Sequence, residues 1–128
     1  MAWQFTSNRP IYVQIVEEIE LRILNGTYEK GMRLPSVRDL AMLAAVNPNT
    51  MQRALAELEE MGLVTTQRNT GRTVTTDESA VSRARDSKAD LLAETFMMQM
   101  QALGLSRKEV LDRLAKGEHK EGEHAVNS

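Results

Sequence analysis

Residues 36–62, SVRDLAMLAAVNPNTMQRALAELEEMG, decide how this chain folds. Ser36 reads as a helix N-cap, with Asp39 three residues later where a capping-box acid belongs. Val37, Leu40, Ala41 and Ala44 give a short helix its buried side. Asn47-Pro48 then reads as a second cap followed by a first helical residue, where proline's missing N–H costs nothing. The helix it opens carries Met51, Ala54, Leu55, Leu58 and Met61 on one face and Asn49, Gln52 and Arg53 on the other. Gly62 ends it.

Upstream, Ile11, Ile15, Ile19 and Ile23 recur every four residues behind Pro10, and Asn25-Gly26 closes that helix with residues tolerant of the left-handed conformation. Trp3 and Phe5 lie ahead of it without a clear period and are placed to pack back as an arm. Thr27 to Pro35 is a loop. Downstream, Leu63–Gln67 and Arg72–Thr76 are short, rich in Thr and Val, and flank the turn-forming Arg68-Asn69-Thr70-Gly71, so they read as a β-hairpin. Three helices followed by a hairpin is the layout of a winged helix-turn-helix. Residues 77–87 mix Asp, Glu, Ser, Arg and Ala and read as a polar linker or a solvated helix start. From Lys88 the helical spacing returns in Leu91, Leu92, Phe96 and Leu103, with Met97 and Met100 among them, to Gly104. Ser106 to Glu109 is a full capping box opening a last helix that buries Val110, Leu111 and Leu114. Beyond Gly117 the chain is charged and reads as disordered.

The expected class is therefore α+β: a winged helix-turn-helix over residues 1–76, a linker at 77–87, a two-helix dimerisation unit at 88–117 and a tail at 118–128. The 128 residues have room for one full domain and a small appendage. No apolar run approaches the roughly 20 residues that span a bilayer, and the N-terminus lacks a signal peptide's layout, so no membrane role and a cytoplasmic location are expected. The absence of cysteine excludes disulfides, thiol chemistry and the usual zinc fingers. A net charge of −2 argues, if anything, against nucleic acid, but binding depends on where charges sit. Acids gather at Glu17, Glu18 and Glu20 and at Glu57, Glu59 and Glu60, whereas Arg33, Arg38, Arg53, Arg68 and Arg72 occupy the stretches between.

The B-form major groove is about 12 Å wide and admits one α-helix, and helix N-termini favour phosphate. The helix opened by Asn47 leads with Asn49, Thr50, Gln52 and Arg53, residue types that bond phosphate oxygens or base edges. Arg38 starts the preceding helix within reach of the backbone or a guanine. Arg68 and Arg72 of the hairpin, with Asn69 and Gly71 at its turn, would follow the neighbouring groove or phosphate rail. Arg33 and Ser36 complete the candidate DNA-binding set. No catalytic triad, buried carboxylate pair or phosphate-cradling glycine loop is present, so neither an enzyme nor a cofactor is expected.

The segment from Pro10 to Val74 resembles the GntR family of bacterial transcription factors. The resemblance is carried by Pro10-Ile11-Tyr12 with Gln14-Ile15, by Gly31-x-Arg33-Leu34-Pro35-Ser36-x-Arg38-Asp39-Leu40-Ala41, by Val46-Asn47-Pro48-Asn49-Thr50 and Arg53-Ala54-Leu55, and by Leu58-Glu59-x-Met61-Gly62-Leu63-Val64. The Val-Asn-Pro-Asn-Thr wording is typical of the YtrA-like subfamily, whose members are short and end in a two-helix dimerisation unit. The resemblance implies DNA contacts by Arg38, by Asn47, Asn49, Thr50 and Gln52 of the recognition helix, and by Arg68 and Gly71 of the wing. It also implies a homodimer on double-stranded DNA, repressing an operon such as a transporter operon together with its own gene. The wing departs from the family's Arg-Gly-x-Gly-Thr-Phe-Val form, reading Arg68-Asn69-Thr70-Gly71-Arg72-Thr73-Val74.

Plainer readings stand beside these. Arg38 could serve a surface ion pair, Asn47 only its cap, and Arg53 a pairing with Glu57 one turn on. The Met97, Met98 and Met100 cluster fits a dimer core better than a ligand pocket. His119 and His124, with Glu118, Glu121 and Glu123, are read as a solvated charge run, not metal ligands. A small-molecule effector is compatible with the chain but implied by no pocket, and would have to bind between helices or across a dimer seam. The alternatives to a DNA-binding repressor are a winged-helix protein-interaction module and, more weakly, a metal-responsive regulator using the tail histidines.

Overall fold

The computed structural model describes residues 3–68 and 71–127, with side-chain surroundings as far as Gly117. The elements run α1 (Ile11–Leu24), α2 (Val37–Ala44), α3 (Pro48–Glu60), β1 (Val64–Gln67), β2 (Gly71–Val74), α4 (Glu78–Ala102) and α5 (Arg107–Asn127). The fold is α+β, a winged helix-turn-helix followed by helices. The chain divides into two compact units, Met1–Arg85 and Asp86–Ser128.

The first unit is built on the face that the Ile periodicity marks. Ile15 and Ile19 of α1, Leu40 of α2, and Met51, Ala54 and Leu58 of α3 are all fully buried. Leu63, Val64 and Val74 close the core from the hairpin, and Trp3 and Phe5 pack against it as the arm expected from their position. Asn25 caps α1, and Gly26 takes the left-handed φ of +84° just beyond. The tight turn between α2 and α3 passes through Ala45 at φ 58°, a left-handed residue that carries a Cβ and that the sequence did not mark. Ala45 and Val46 donate back to the carbonyls of Met42 and Ala41, which accounts for the otherwise orphaned end of α2.

The wing pairs antiparallel in the register Val64↔Val74, Thr65↔Thr73, Thr66↔Arg72 and Gln67↔Gly71. The loop at 27–35 is not free of structure, because Arg33 bridges Thr73 and Leu34 donates to the Arg72 carbonyl at 2.9 Å. The other edge of β2 is thereby partly covered.

Two expectations are corrected. Of the two readings of residues 77–87 the linker gives way to the helix start, docked and not solvated: α4 starts at Glu78, buries Val81, packs Ala84 on the core, and sends Arg85 to the Leu24 carbonyl at 2.6 Å. A polar composition hid this because two small apolar residues suffice to dock one helical turn. The expected tail at 118–128 is also helical, since α5 continues through Gly117 to Asn127. Glycine costs a helix about 1 kcal/mol without breaking it, and the Glu, Lys and Ala that follow are good helix formers.

In the second unit, Ser106 and Glu109 form the full capping box: Glu109 N–H donates to Ser106 Oγ at 3.1 Å, and Ser106 N–H to the Glu109 carboxylate at 3.0 Å. Val110 is fully buried. Met97 and Met100 are half-buried, whereas Leu91, Leu92, Phe96, Leu103, Leu111 and Leu114 are exposed. No helix among the described residues is long and apolar enough to cross a membrane.

Candidate nucleic-acid interface

The candidate residues fall into three groups around the first turns of α2 and α3. Both turns are capped as the sequence demands: Asp39 N–H donates to Ser36 Oγ at 3.1 Å, and Asn49 N–H to Asn47 Oδ1 at 2.7 Å. Neither bond uses up the remaining lone pairs of the capping oxygens. The first turn of α3 contains no acidic residue, so its N–H dipoles stay available to an anion.

The first group is the outer face of α3. Met51, Ala54, Leu55 and Leu58 turn inward, which leaves Asn49, Gln52 and Arg53 exposed on the opposite side. Asn47 is exposed beside them and Thr50 is half-buried. Arg38, on the first turn of α2, is also exposed. Arg38, Gln52 and Arg68 make no side-chain hydrogen bond or ion pair among the described residues. The surface ion pair considered for Arg38 is therefore not formed.

The second group was scattered in sequence and is assembled by the loop that pairs with β2. Arg33, Ser36, Gly71 and Arg72 line a common hollow of about 230 Å³ beside the turn end of the wing. A Cβ on Gly71, whose φ is +83°, would stand 3.9 Å from the Arg33 guanidinium. The Nε of half-buried Arg72 has no hydrogen-bond partner. Two guanidinium groups and an uncapped hydroxyl lone pair meeting at one hollow suit a phosphate. Arg68 lies exposed at the end of β1, while Asn69 falls outside the described residues, as do the side chains of His119 and His124.

The third group contains a residue to which sequence reasoning gave no role. Arg53 does not pair with Glu57; its guanidinium lies over the Tyr12 ring, 3.7 Å from the centroid. Tyr12, Ile11, Asn49, Thr50 and Arg53 surround an open hollow of about 320 Å³. The available signal was Tyr12 itself, an aromatic residue outside the Ile15-Ile19-Ile23 period. No acid is among the residues that line this hollow; Glu59 accepts from the Thr66 hydroxyl, and Glu17 pairs with Arg9.

Away from this face, a cavity of about 440 Å³ opens between the end of α1, the following loop and the start of α4, lined by Ile23, Tyr28, Lys30, Glu78, Val81 and Arg85. Lys30 pairs with Glu78, whose carboxyl is held below its ordinary value by the lysine's hydrogen bond and charge. Among the described residues no cluster of three or more potential metal ligands occurs.

Comparison with known proteins gives the chain its relatives. The family of bacterial regulatory proteins named for gntR matches residues 11–74. The HTH-type transcriptional regulator YhcF of Bacillus subtilis is 38% identical over 109 residues, covering 85% of this chain and 90% of that protein. The transcriptional repressor YtrA of the same organism is 36% identical over 88 residues, covering 69% and 66%. A GntR family transcriptional regulator from Listeria monocytogenes superimposes with a TM-score of 0.83 at 41% identity, over 88% of this chain and 98% of that structure.

Proposed function

We propose, from the premise that this chain belongs to the GntR family of bacterial regulatory proteins, that it is a dimeric repressor acting at an inverted-repeat operator. The chain is a DNA-binding transcriptional regulator, as its relatives are, and not an enzyme. The observation that carries the finer reading is the exposed polar face of α3, flanked by Arg38 and by the Arg33–Arg72 hollow. On this reading Asn49 and Gln52 meet base edges in the major groove, Arg38 meets the backbone or a guanine, and the Arg33–Arg72 hollow holds a phosphate.

Dimerisation is supported by the second unit. Leu91, Leu92 and Leu103 are 59%, 59% and 77% exposed, an apolar surface unusual for a chain that acts alone. A two-fold axis through these helices would present two α3 helices to two half-sites. The name of YtrA supports repression, by occlusion of a promoter. By the resemblance to the YtrA-like subfamily, the regulated genes would be a transporter operon and the regulator's own gene. A small effector would have the 440 Å³ cavity beside Tyr28 to enter, above the roughly 300 Å³ at which ligand pockets begin.

The test is a titration against DNA from upstream of the chain's own gene, at several salt concentrations, with Arg38→Ala in parallel. Tight, salt-sensitive binding to one palindrome, weakened about 5- to 150-fold by the substitution, is the expected result. Equal affinity for scrambled DNA would remove operator specificity. Absence of salt-dependent binding to any duplex would favour a winged helix that docks on protein.

A further inference from the structure

We propose that Tyr12, on the first turn of α1, is a positioning residue that holds Arg53 as a backbone clamp for DNA rather than a base reader. The proposal rests on the DNA-binding reading above and adds to it a division of labour within α3. It starts from a contact between two helices that neither helix explains alone.

An arginine in the second turn of a recognition helix has several ways to be used. It can extend into the groove, pair with an acid one turn on, or lie against its own protein. The i,i+4 acid is present as Glu57, yet Arg53 forms no ion pair among the described residues. Its guanidinium centre sits 3.7 Å above the Tyr12 ring. Stacking of this kind engages the flat π-face of the guanidinium and leaves its N–H edges free. The group is thus held over the ring, 3.7 Å from its centroid, with N–H groups left for a partner that can use two of them. A phosphate has the matching fork of oxygens.

Position argues for phosphate over base. Tyr12 belongs to α1, so the stack draws Arg53 off the outer face of α3 toward the neighbouring helix, while Asn49 and Gln52 keep that face. The space in front of the stack is the hollow of about 320 Å³ shared with Thr50, whose hydroxyl is a further donor to an oxygen. No acidic residue stands in the first turn of α1 or of α3, so no charge on those turns competes with the incoming anion. An immobilised guanidinium also loses less rotamer freedom on binding, the advantage that a stacked arginine has over a lysine.

The experiment measures anisotropy of labelled operator and scrambled duplexes of equal length, with the full chain, across a salt series. Arg53→Ala should weaken both duplexes by a similar factor, about ten-fold, and lower the salt slope by about one per half-site. Tyr12→Leu should weaken both about two- to five-fold in the wild-type background and add nothing to Arg53→Ala. Tyr12→Phe should match the wild type, because the ring face and not the hydroxyl carries the contact. Arg53→Lys should keep the salt slope but lose affinity, and it tests the flat stack even where Tyr12→Leu fails to fold. A loss at the operator alone on Arg53→Ala would make Arg53 a base reader and overturn the proposal. So would a Tyr12→Leu effect undiminished in the Arg53→Ala background, a Tyr12→Phe loss equal to that of Tyr12→Leu, or wild-type affinity in Arg53→Lys. If the wild type itself shows no salt-dependent affinity for either duplex, the DNA-binding reading fails first and the clamp with it.

Discussion

Leu58, in the first of the two units, is completely withdrawn from solvent, and so are Ile15, Ile19 and Met51 around it. In the second unit Leu92 remains 59% exposed and Leu103 77%, although their helices are as well formed as α1 or α3. Both regions contain apolar side chains at helical spacing. The difference is whether the chain supplies the surface that covers them. Up to Arg85 it does for the inward faces of α1, α2 and α3, although Leu21, Met42 and Leu43 stay exposed, so that unit's stability is settled mainly by its own core. Beyond Asp86 Val110 alone among the described residues is fully buried while most of the apolar face of α4 and α5 is left exposed, and its stability depends on protein concentration if a second copy covers it.

Paired substitutions break the comparison most directly. Leu58→Ala removes side-chain atoms from a full core and should cost about 2–5 kcal/mol of unfolding free energy, the same at every protein concentration. Phe96→Asp alters a 39%-exposed residue and should leave the first unit's denaturation unchanged. On the proposed dimer it should instead raise the dissociation constant at least thirty-fold, on the scale of a buried aromatic anchor at an interface. Denaturant titration at two concentrations and sedimentation equilibrium read the two effects separately. Concentration-independent behaviour of both variants, with a monomeric wild type, would end the dimer reading.

Glycines sharpen the comparison on a smaller scale. Gly31 and Gly104 have left-handed φ values of +77° and +94°, one at the wing root and one between α4 and α5. Alanine at either position meets the left-handed penalty of about 1–2 kcal/mol. A Cβ on Gly31 would also stand 3.3 Å from Thr76 Cγ2, whereas at Gly104 it would meet open space. Gly31 additionally donates to the Val74 carbonyl at 3.0 Å, which ties it to the wing. Gly31→Ala should therefore destabilise more than Gly104→Ala and should weaken DNA binding as well. Equal losses in urea titrations would mean that the wing root yields to the extra methyl.

What could be read from sequence was local. Ser36, Asn47 and the Ser106–Glu109 box all satisfy backbone groups within three residues, so residue type and spacing suffice to find them. The boundaries of α2 and α3 and the place of the hairpin turn follow for the same reason, with Pro48, Gly62 and Gly71 where the backbone needs them. What stayed hidden was decided by distant partners. Arg33 reaches Thr73 forty residues away, which no local signal marks and which is how Arg33, Ser36 and Arg72 come to share one hollow. Arg53 chooses Tyr12 over the nearer Glu57. The start of α4 looks solvated until Val81 and Arg85 are seen to dock on the end of α1. The candidate residues were thus nameable one by one, but their grouping was not.

The smallest expected effect separates the two regions by the origin of a shifted carboxylate. Glu78, in the first unit, has its pKa lowered from 4.5 chiefly by the hydrogen bond and charge of Lys30. Glu109, in the second, is lowered from the same value chiefly by hydrogen bonds from the Ser106 backbone N–H and hydroxyl. In both, the folded pKa lies below the unfolded one. Each contribution is therefore present above about pH 4.5 and is lost as pH falls through the depressed folded value. Salt should distinguish them. Glu78 interacts with a mobile exposed cation and should relax toward its ordinary pKa as ionic strength rises, while the backbone bond at Glu109 is short-ranged and should hold. Carboxyl-resolved NMR titrations at low and high salt measure this, with Glu109→Gln as the control that flattens the pH dependence at the cap yet still accepts the Ser106 N–H. Equal salt sensitivity at the two sites would mean that the Glu109 shift is electrostatic, owed to Arg113 instead of the cap, and that α5 begins on charge rather than on its capping box.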